Sequence, residues 1–558
     1  MAHGSAEVPE EVVIWDLLLS KPKGGRIRSA ARSGEPYLHT TLHSGELGIL
    51  EAERVAGEVG LGDAEVVAVG RVLKRSREDR LSALPGDILV SILDRLDVRD
   101  AARTCILSRR WSGLSAELSR LVINAKDFVP DGVSSANISA GDDLVRTNAA
   151  VVEATKSMLA RRDPGGRHTV RLLSTEFYLS DNVPISIGHA IGNAMATHKI
   201  EKAEFTVLTV KESKQCRLED HLNYGAWFVS FFYACLDVFT GLTRLSLENL
   251  IFSESDFLSN ILGTCKQLKY LGFLRCGTMR MVTHQVEHAQ LCELSMVRCL
   301  FGKVELKWLP RLTRTDFAFW RSFEEIPLSF GHVPLLEVVS LENAALSWHK
   351  MIKLSTLLCE TSVRDLMLGF RCEKIWVQPE SVTKRLASAF NRLKIVNLGH
   401  IPEGYDLTWT MFILEAAPSL EEFYMTVIDH PCEMQMDKDK RREGSYIEEK
   451  GVEWESPTSN FKHHRLTKLI IFCFESYMAS HVRRVMNAAV NLKYVYLYRR
   501  LSCDKCKHMK PLKPIMFPRS KKHRCSMRKL MTQCIESGAR IHFLDFSVMS
   551  DDHKARLP

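Results

Sequence analysis

Several features are missing from this sequence, and each absence removes a class of protein. No apolar run is long enough to cross a bilayer: the most apolar stretch, AWFVSFFYACLDVF at Ala226 to Phe239, is short and carries Asp237. A buried helix is expected there, and no membrane anchor. The first residues, MAHGSAEVPEEVVIWDLLLS, hold acids where a secretory signal would have a basic start. The 15 cysteines are mostly scattered singly, so the expectation is free thiols in a reducing setting, cytoplasmic and/or nuclear. No glycine-rich phosphate loop follows a strand, no Ser-His-Asp or paired-carboxylate arrangement can be nominated, and the histidines are dispersed with only His463 and His464 adjacent. The chain therefore reads as non-catalytic, with no cofactor.

What is present begins with length. A chain of 558 residues exceeds one ordinary core, so several domains or a repeating architecture are expected. Hydrophobic content of 45% and charged content of 25% are those of a globular protein. The formal charge of +8 is local: Lys505 to Lys529 holds ten Lys and Arg and no acid, leaving the remainder close to neutral. That distribution argues against a nucleic-acid groove spread over the whole molecule, and the basic stretch lacks regularly interleaved aromatics. Nucleic acid is therefore disfavoured as a partner. The same stretch brings together Cys503, Cys506, His508, His523 and Cys525. One Cys-x-x-Cys with loosely spaced companions is weaker than the two clear ligand pairs of structural zinc, so a strand end and basic loop is the preferred reading and no metal ligand is assigned.

Residues 1 to 78 mix Gly, Ala, Glu and Arg without a sustained period and read as a flexible extension, with KRSR at Lys74 to Arg77 a solvated linker. The texture then changes. In LSALPGDILVSILDRLDVRDAARTCILSRRW, Leu81 to Trp111, Pro85 suits the start of a helix. Ile88, Leu89, Ile92, Leu93 and Leu96 then recur at helical spacing as a double-width apolar stripe. Asp97 can cap a second helix bearing Ala101, Ala102, Cys105 and Ile106, and Ser108 a third presenting Trp111 and Leu114. Three helices in so short a span lie near the limit for independent folding and cannot hide both sides of that stripe. A partner should cover one side.

These residues resemble an F-box, through Leu84-Pro85, the Ile-Leu pairs 88/89 and 92/93, and the LSRRW of Leu107 to Trp111. The resemblance implies docking on a Skp-family adaptor and, through it, a cullin. It assigns Leu84, Pro85, Ile88, Leu89, Ile92, Leu93, Leu107 and Trp111 to adaptor contact or to the small core supporting it. Leu114 precedes Ser115 where plant F-boxes often have Leu-Trp.

Beyond Asn124 a helical segment, LVRTNAAVVEATKSMLARRD, precedes a PGG turn, and short apolar strands then follow at intervals. A template of apolar, two others, apolar, one other, apolar fits Leu242/Leu245/Leu247, Leu268/Leu271/Phe273, Leu291/Leu294/Met296, Leu312/Thr315/Phe317 with one lapse, Leu336/Val339/Leu341 and Val363/Leu366/Leu368. It continues at Leu393/Val396/Leu398, Leu420/Phe423/Met425, Leu466/Leu469/Ile471 and Leu492/Val495/Leu497. From Leu242 to Leu420 the starts lie 26, 23, 21, 24, 27, 30 and 27 residues apart, close to the leucine-rich-repeat period. Cys276 and Cys299 fall where that repeat wants Asn or Cys to satisfy backbone groups after the strand. This part looks like the irregular leucine-rich repeats of plant F-box proteins, one parallel strand per repeat.

The spacing breaks at a charged insertion, about 428–462, which should be surface. After it, residues 463–498 read strand, helix, strand, with Met478, Val482, Val485, Met486 and Ala489 on one helical face. That segment is similar to the FBD segment of plant F-box proteins, and FPRSKKHR to the end of grass F-box and leucine-rich-repeat proteins. The expected class is α/β: a small three-helix F-box at 79–123, then a leucine-rich-repeat solenoid, a parallel β-sheet horseshoe, over 124–463 with an FBD-like end at 464–558. The resemblance implies the substrate-recognition subunit of an SCF-type cullin–RING ubiquitin ligase, with an unknown target protein on the repeats. The alternative is a repeat scaffold that binds a protein or nucleic acid without recruiting a ligase.

Overall fold

The computed structural model describes residues 84–96, 98–105, 109–129, 142–160, 162, 169–180, 183–211, 215–320, 326–343, 351–359, 361–371, 375–403, 405–428, 461–499 and 517–557. The expected extension at 1–78 and most of the charged insertion lie outside them. The chain divides into two compact units, Met1–Leu250 and Ile251–Pro558.

The first unit opens with three short helices, α1 (Gly86–Leu93), α2 (Val98–Cys105) and α3 (Arg109–Leu114). Strands then alternate with helices: β1 (Arg120–Asn124), α4 (Asp142–Ala160), β2 (Leu172–Tyr178), α5 (Val183–Thr197), β3 (Ala203–Leu208), α6 (Leu218–Ala234), α7 (Leu236–Gly241) and β4 (Leu242–Glu248). Neighbouring strands pair parallel, Leu121 opposite Leu173, Thr175 opposite Phe205 and Val207 opposite Leu247. The stretch expected as a buried helix becomes α6 and α7. Its Phe228, Phe231, Phe232 and Phe239 are fully buried and pack edge-on or tilted against one another and against Phe177 and Phe205 of the strands. Among the described residues no helix is long and apolar enough to cross a membrane.

Among its described residues the second unit carries ten strands of one parallel sheet in chain order: β6 (Tyr270–Leu274), β9 (Glu293–Val297), β11 (Arg314–Trp320), β13 (Val338–Asn343), β14 (Asp365–Phe370), β15 (Ile395–Ile401), β16 (Glu422–Val427), β17 (Lys468–Phe472), β18 (Tyr494–Tyr498) and β19 (Arg540–Leu544). The template is its core. One continuous row runs Leu271, Leu294, Thr315, Val339, Leu366, Val396, Phe423, Leu469, Val495, Ile541, each opposite the next. A second row, Phe273 to Phe543, lies two residues further along each strand, and nearly every member of both is buried. Three buried large side chains per repeat give roughly 5–9 kcal/mol, well short of the tens that ordering some two dozen residues costs, so the repeats stand only as a stack.

The return segments follow the repeat length. The shortest repeats, between Leu268 and Leu336, return through strands β8 (Thr283–Glu287), β10 (Lys303–Trp308) and β12 (Leu328–His332), which form a second parallel sheet. The longer ones return through helices, α8 (Phe257–Thr264), α9 (Leu354–Leu357), α10 (Lys384–Phe390) and α11 (Met411–Ala416). Extended chain covers about 3.3 Å per residue against about 1.5 Å for a helix, so a repeat short of residues returns as strand. The predicted strand-helix-strand is β17, α12 (Ala479–Ala488) and β18, with Met478, Val482, Val485, Met486 and Ala489 all buried. The short strands β5 (Ile251–Phe252) and β7 (Gly277–Thr278) pair beside α8, and α13 (Lys521–Thr532) and α14 (Asp551–Lys554) complete the unit.

Candidate functional site: a helical bundle and a repeat face

Helix α1 begins one residue after Pro85, whose carbonyl accepts the first helical bond from Leu89 N at 3.1 Å. Asp87 in the first turn complements the helix dipole. The double-width stripe splits. Leu89 and Leu93 are fully buried, together with Val98, Ala101, Trp111, Leu114 and Leu118. Ile88, Ile92, Leu84 and Leu96 are half-exposed beside them and Pro85 is exposed. Of the residues expected at the adaptor, Leu89, Leu93 and Trp111 thus belong to the supporting core. Leu84, Pro85, Ile88 and Ile92 sit where a partner can reach, and Leu107 lies outside the described residues, as do Asp97, Ile106 and Ser108.

A joint that the sequence reading did not name ties this bundle to the first strand. The Asp94 carboxylate, at the end of α1, accepts from Ser119 N at 2.8 Å, Arg120 N at 3.1 Å and the Ser119 hydroxyl. The Arg162 guanidinium, buried after α4, donates to Leu118 O. Burial lowers the Arg162 pKa, an effect that nearby Asp94 partly offsets. One signal for this joint existed: Leu118, Leu121 and Ile123 fit the repeat template and are all buried. The strands begin at Arg120, inside the stretch expected as F-box.

After the strands, the same backbone turn recurs. Asn249, Arg275, Arg298, Phe319, His400 and Cys473 each stand two residues past the last template position with φ between 55° and 61°. The Cys276 thiol donates to Leu274 O at 3.5 Å, and Cys299 to Phe273 O at 3.4 Å and Val297 O at 3.5 Å, the role expected of that position. Burial pushes the Cys299 thiol up to about 12, against the opposing pull of backbone hydrogen bonds at Cys276, Val297 and Arg275, and that of Cys265 likewise to about 12. Phe319 holds its unusual backbone with the guanidinium carbons of Arg298 and Arg371 4.3 Å and 4.8 Å from its ring centre.

The face between the two apolar rows changes character along the stack. On β6 to β14 its middle residues are Gly272, Ser295, Asp316, Ser340 and Met367. Burial raises the Asp316 pKa, while hydrogen bonds from the Ser340 and Ser295 hydroxyls pull it back. On β15 to β19 they are Asn397, Tyr424, Ile470, Tyr496 and His542, largely aromatic.

In the basic stretch, Cys503, Cys506 and His508 lie outside the described residues. His523 and Cys525 stand on α13, which Ser520 caps by accepting from His523 N at 3.1 Å. The guanidinium carbons of half-buried Arg524 and exposed Arg528 lie 6.0 Å and 5.3 Å from the Phe543 ring centre, so part of the local charge contacts an aromatic ring.

A three-helix bundle leading into a leucine-rich-repeat stack defines the class of F-box and leucine-rich-repeat proteins. Comparison with known families agrees. The F-box domain matches residues 81–122, and the At1g61320/AtMIF1 LRR domain matches residues 229–536, more than half of the chain. The chain belongs to this family of F-box proteins with leucine-rich repeats. It is similar to three proteins of Arabidopsis thaliana. The FBD-associated F-box protein At5g18780 is 42% identical over 66 residues, covering 12% of this chain and 15% of that protein. The F-box protein At1g80960 is 26% identical over 206 residues, 36% of each. The F-box/LRR-repeat protein At3g26922 is 22% identical over 227 residues, 39% of this chain and 67% of that one. The first two are thus matched over well under half their length.

Proposed function

We propose that this protein is the substrate-recognition subunit of an SCF-type cullin–RING ubiquitin ligase, in which α1 docks on a Skp-family adaptor and the repeats hold the target. The observation that carries this reading is the split stripe of α1: Leu89 and Leu93 fill the bundle while Ile88 and Ile92, with Leu84 and Pro85, leave an apolar flank for another polypeptide. Burying that flank contributes affinity in proportion to its apolar area. The chain itself does no chemistry; it raises the effective concentration of a target lysine near a charged conjugating enzyme. The test is co-purification with a co-expressed adaptor. Leu84→Ala with Pro85→Ala should abolish it, and retained capture would overturn the reading. A repeat scaffold without ligase recruitment would show no adaptor dependence of solubility; rescue by the adaptor is the expected result.

A further inference from the structure

The aromatic end of the repeat face is already occupied, by the chain itself. After β19, residues 545–557 turn back and cross the strands in reverse order. The Tyr498 hydroxyl lies 2.8 Å from His553 Nδ1, and the buried His553 ring meets those of Tyr424, Tyr496 and Tyr498 at centroid distances of 6.0, 5.0 and 5.7 Å. Further along, Asn397 Nδ2 donates to Arg556 O at 2.7 Å. The Arg556 guanidinium pairs with Asp365 on β14 and lies over Tyr424. The crossing thus reaches back across five strands, β18 to β14.

The way the segment is held differs from everything beneath it. It adds no strand to the sheet and is made of short helical turns. Of its side chains only Met549 and His553 are buried, while Ser547, Val548, Asp551, Asp552, Lys554 and Ala555 are exposed. Two buried side chains, the half-buried Phe546 and Leu557 against the same cluster with Phe546 stacked 5.8 Å from the Tyr498 ring, and a few polar anchors hold less firmly than a strand bonded on both sides.

We propose that the face of β14–β18 is a peptide-recognition site and that residues 546–557 are its built-in ligand, which a target displaces by offering the same chemistry: a flat ring for the tyrosine cage and, three residues on, a guanidinium for Asp365. This rests on the repeats being the target-holding part. A competing segment in cis lowers the apparent affinity for any incoming peptide, so only one that reproduces both anchors would dislodge it.

The test uses the full chain and a fluorescein-labelled peptide of the sequence FSVMSDDHKARL, residues 546–557. His553→Ala with Arg556→Ala weakens the cis segment, and this variant should bind the peptide at least about tenfold more tightly than the native chain. Adding Asp365→Ala should reverse that gain. A variant that keeps the native melting temperature yet gains no peptide binding would overturn the proposal. Should the variant not fold, amide exchange of the native chain decides: residues 546–557 opening at least about a hundredfold faster than β15–β18 supports it, and exchange in step with those strands refutes it. Adaptor capture, measured on the same samples, reports separately on the F-box reading.

Discussion

Neighbouring residues of α1 should fail in opposite ways when truncated. Leu93 is 1% exposed and Leu89 0%, so either one changed to Ala leaves a cavity in a bundle with few other core residues, at a cost of about 2–5 kcal/mol. Ile88 and Ile92 are half-buried already. Full burial of such a side chain is worth about 1.5–3 kcal/mol, so docking adds roughly half of that for each, or about 1.5–3 kcal/mol together. Ile88→Ala with Ile92→Ala should therefore weaken adaptor binding by about 10- to 150-fold while costing the bundle no more than about 1.5–3 kcal/mol, the share of these side chains already buried. Titration calorimetry against the purified adaptor measures the first quantity, and proteolysis or amide exchange of the first unit the second. If the Ile pair unfolded the bundle, or bound the adaptor as tightly as native, the division of the stripe into a supporting and a docking side would be wrong.

Asp94→Ala removes the acceptor for three donors at the joint with β1 and should destabilise the first unit by about 1–3 kcal/mol, seen as faster exchange at Ser119 and Arg120 with the β13–β15 amides unchanged. Leu341→Ala, in the middle of the ladder, should cost about 2–5 kcal/mol and lower the urea midpoint of the whole second unit; a loss confined to neighbouring strands would contradict cooperative stacking. Acidification should also destabilise the second unit. Burial holds the His481 imidazole down at about 4, so below about pH 6.5 the unfolded chain binds the proton first, and stability falls by up to roughly 3 kcal/mol as pH drops to about 4. His481→Leu should reduce that slope in urea titrations between pH 7.5 and 4.5, leaving the share of His284, His288, His463 and His553, which burial also holds down.

Every strand that fits the repeat template from Leu242 to Leu497 is present, and from Leu268 onward each is in register with the next, because two or three large inward residues at fixed offsets are both the signal and the core. Of the strands left unread, β1 carries the full template at Leu118, Leu121 and Ile123, whereas β2 and β19 lack part of it. In β19 the leading position is Gly538, and in β2 Thr175 stands in the row between Ile123 and Phe205. The second sheet hides for another reason: THQVE in β8 buries only two of its five side chains, and so reads as loop. At the F-box the residue types were legible but not their division, since a stripe two residues wide does not say which edge faces inward. The crossing segment was invisible, because its anchors join residues 159 and 191 positions apart, and no local period encodes a contact of that range.

The cysteines of the repeats have a practical corollary. Burial holds Cys265, at the end of α8, and Cys299, in the turn after β9, far above the usual thiol range, so very little of either is ionised at neutral pH, and the ionised form is what oxidants and alkylating reagents attack. Among the described cysteines, Cys525 and Cys534 are exposed. A limiting dose of peroxide or maleimide should mark those two first and pass over Cys265 and Cys299, which act here as filler and, at Cys299, as a weak donor rather than as reagents.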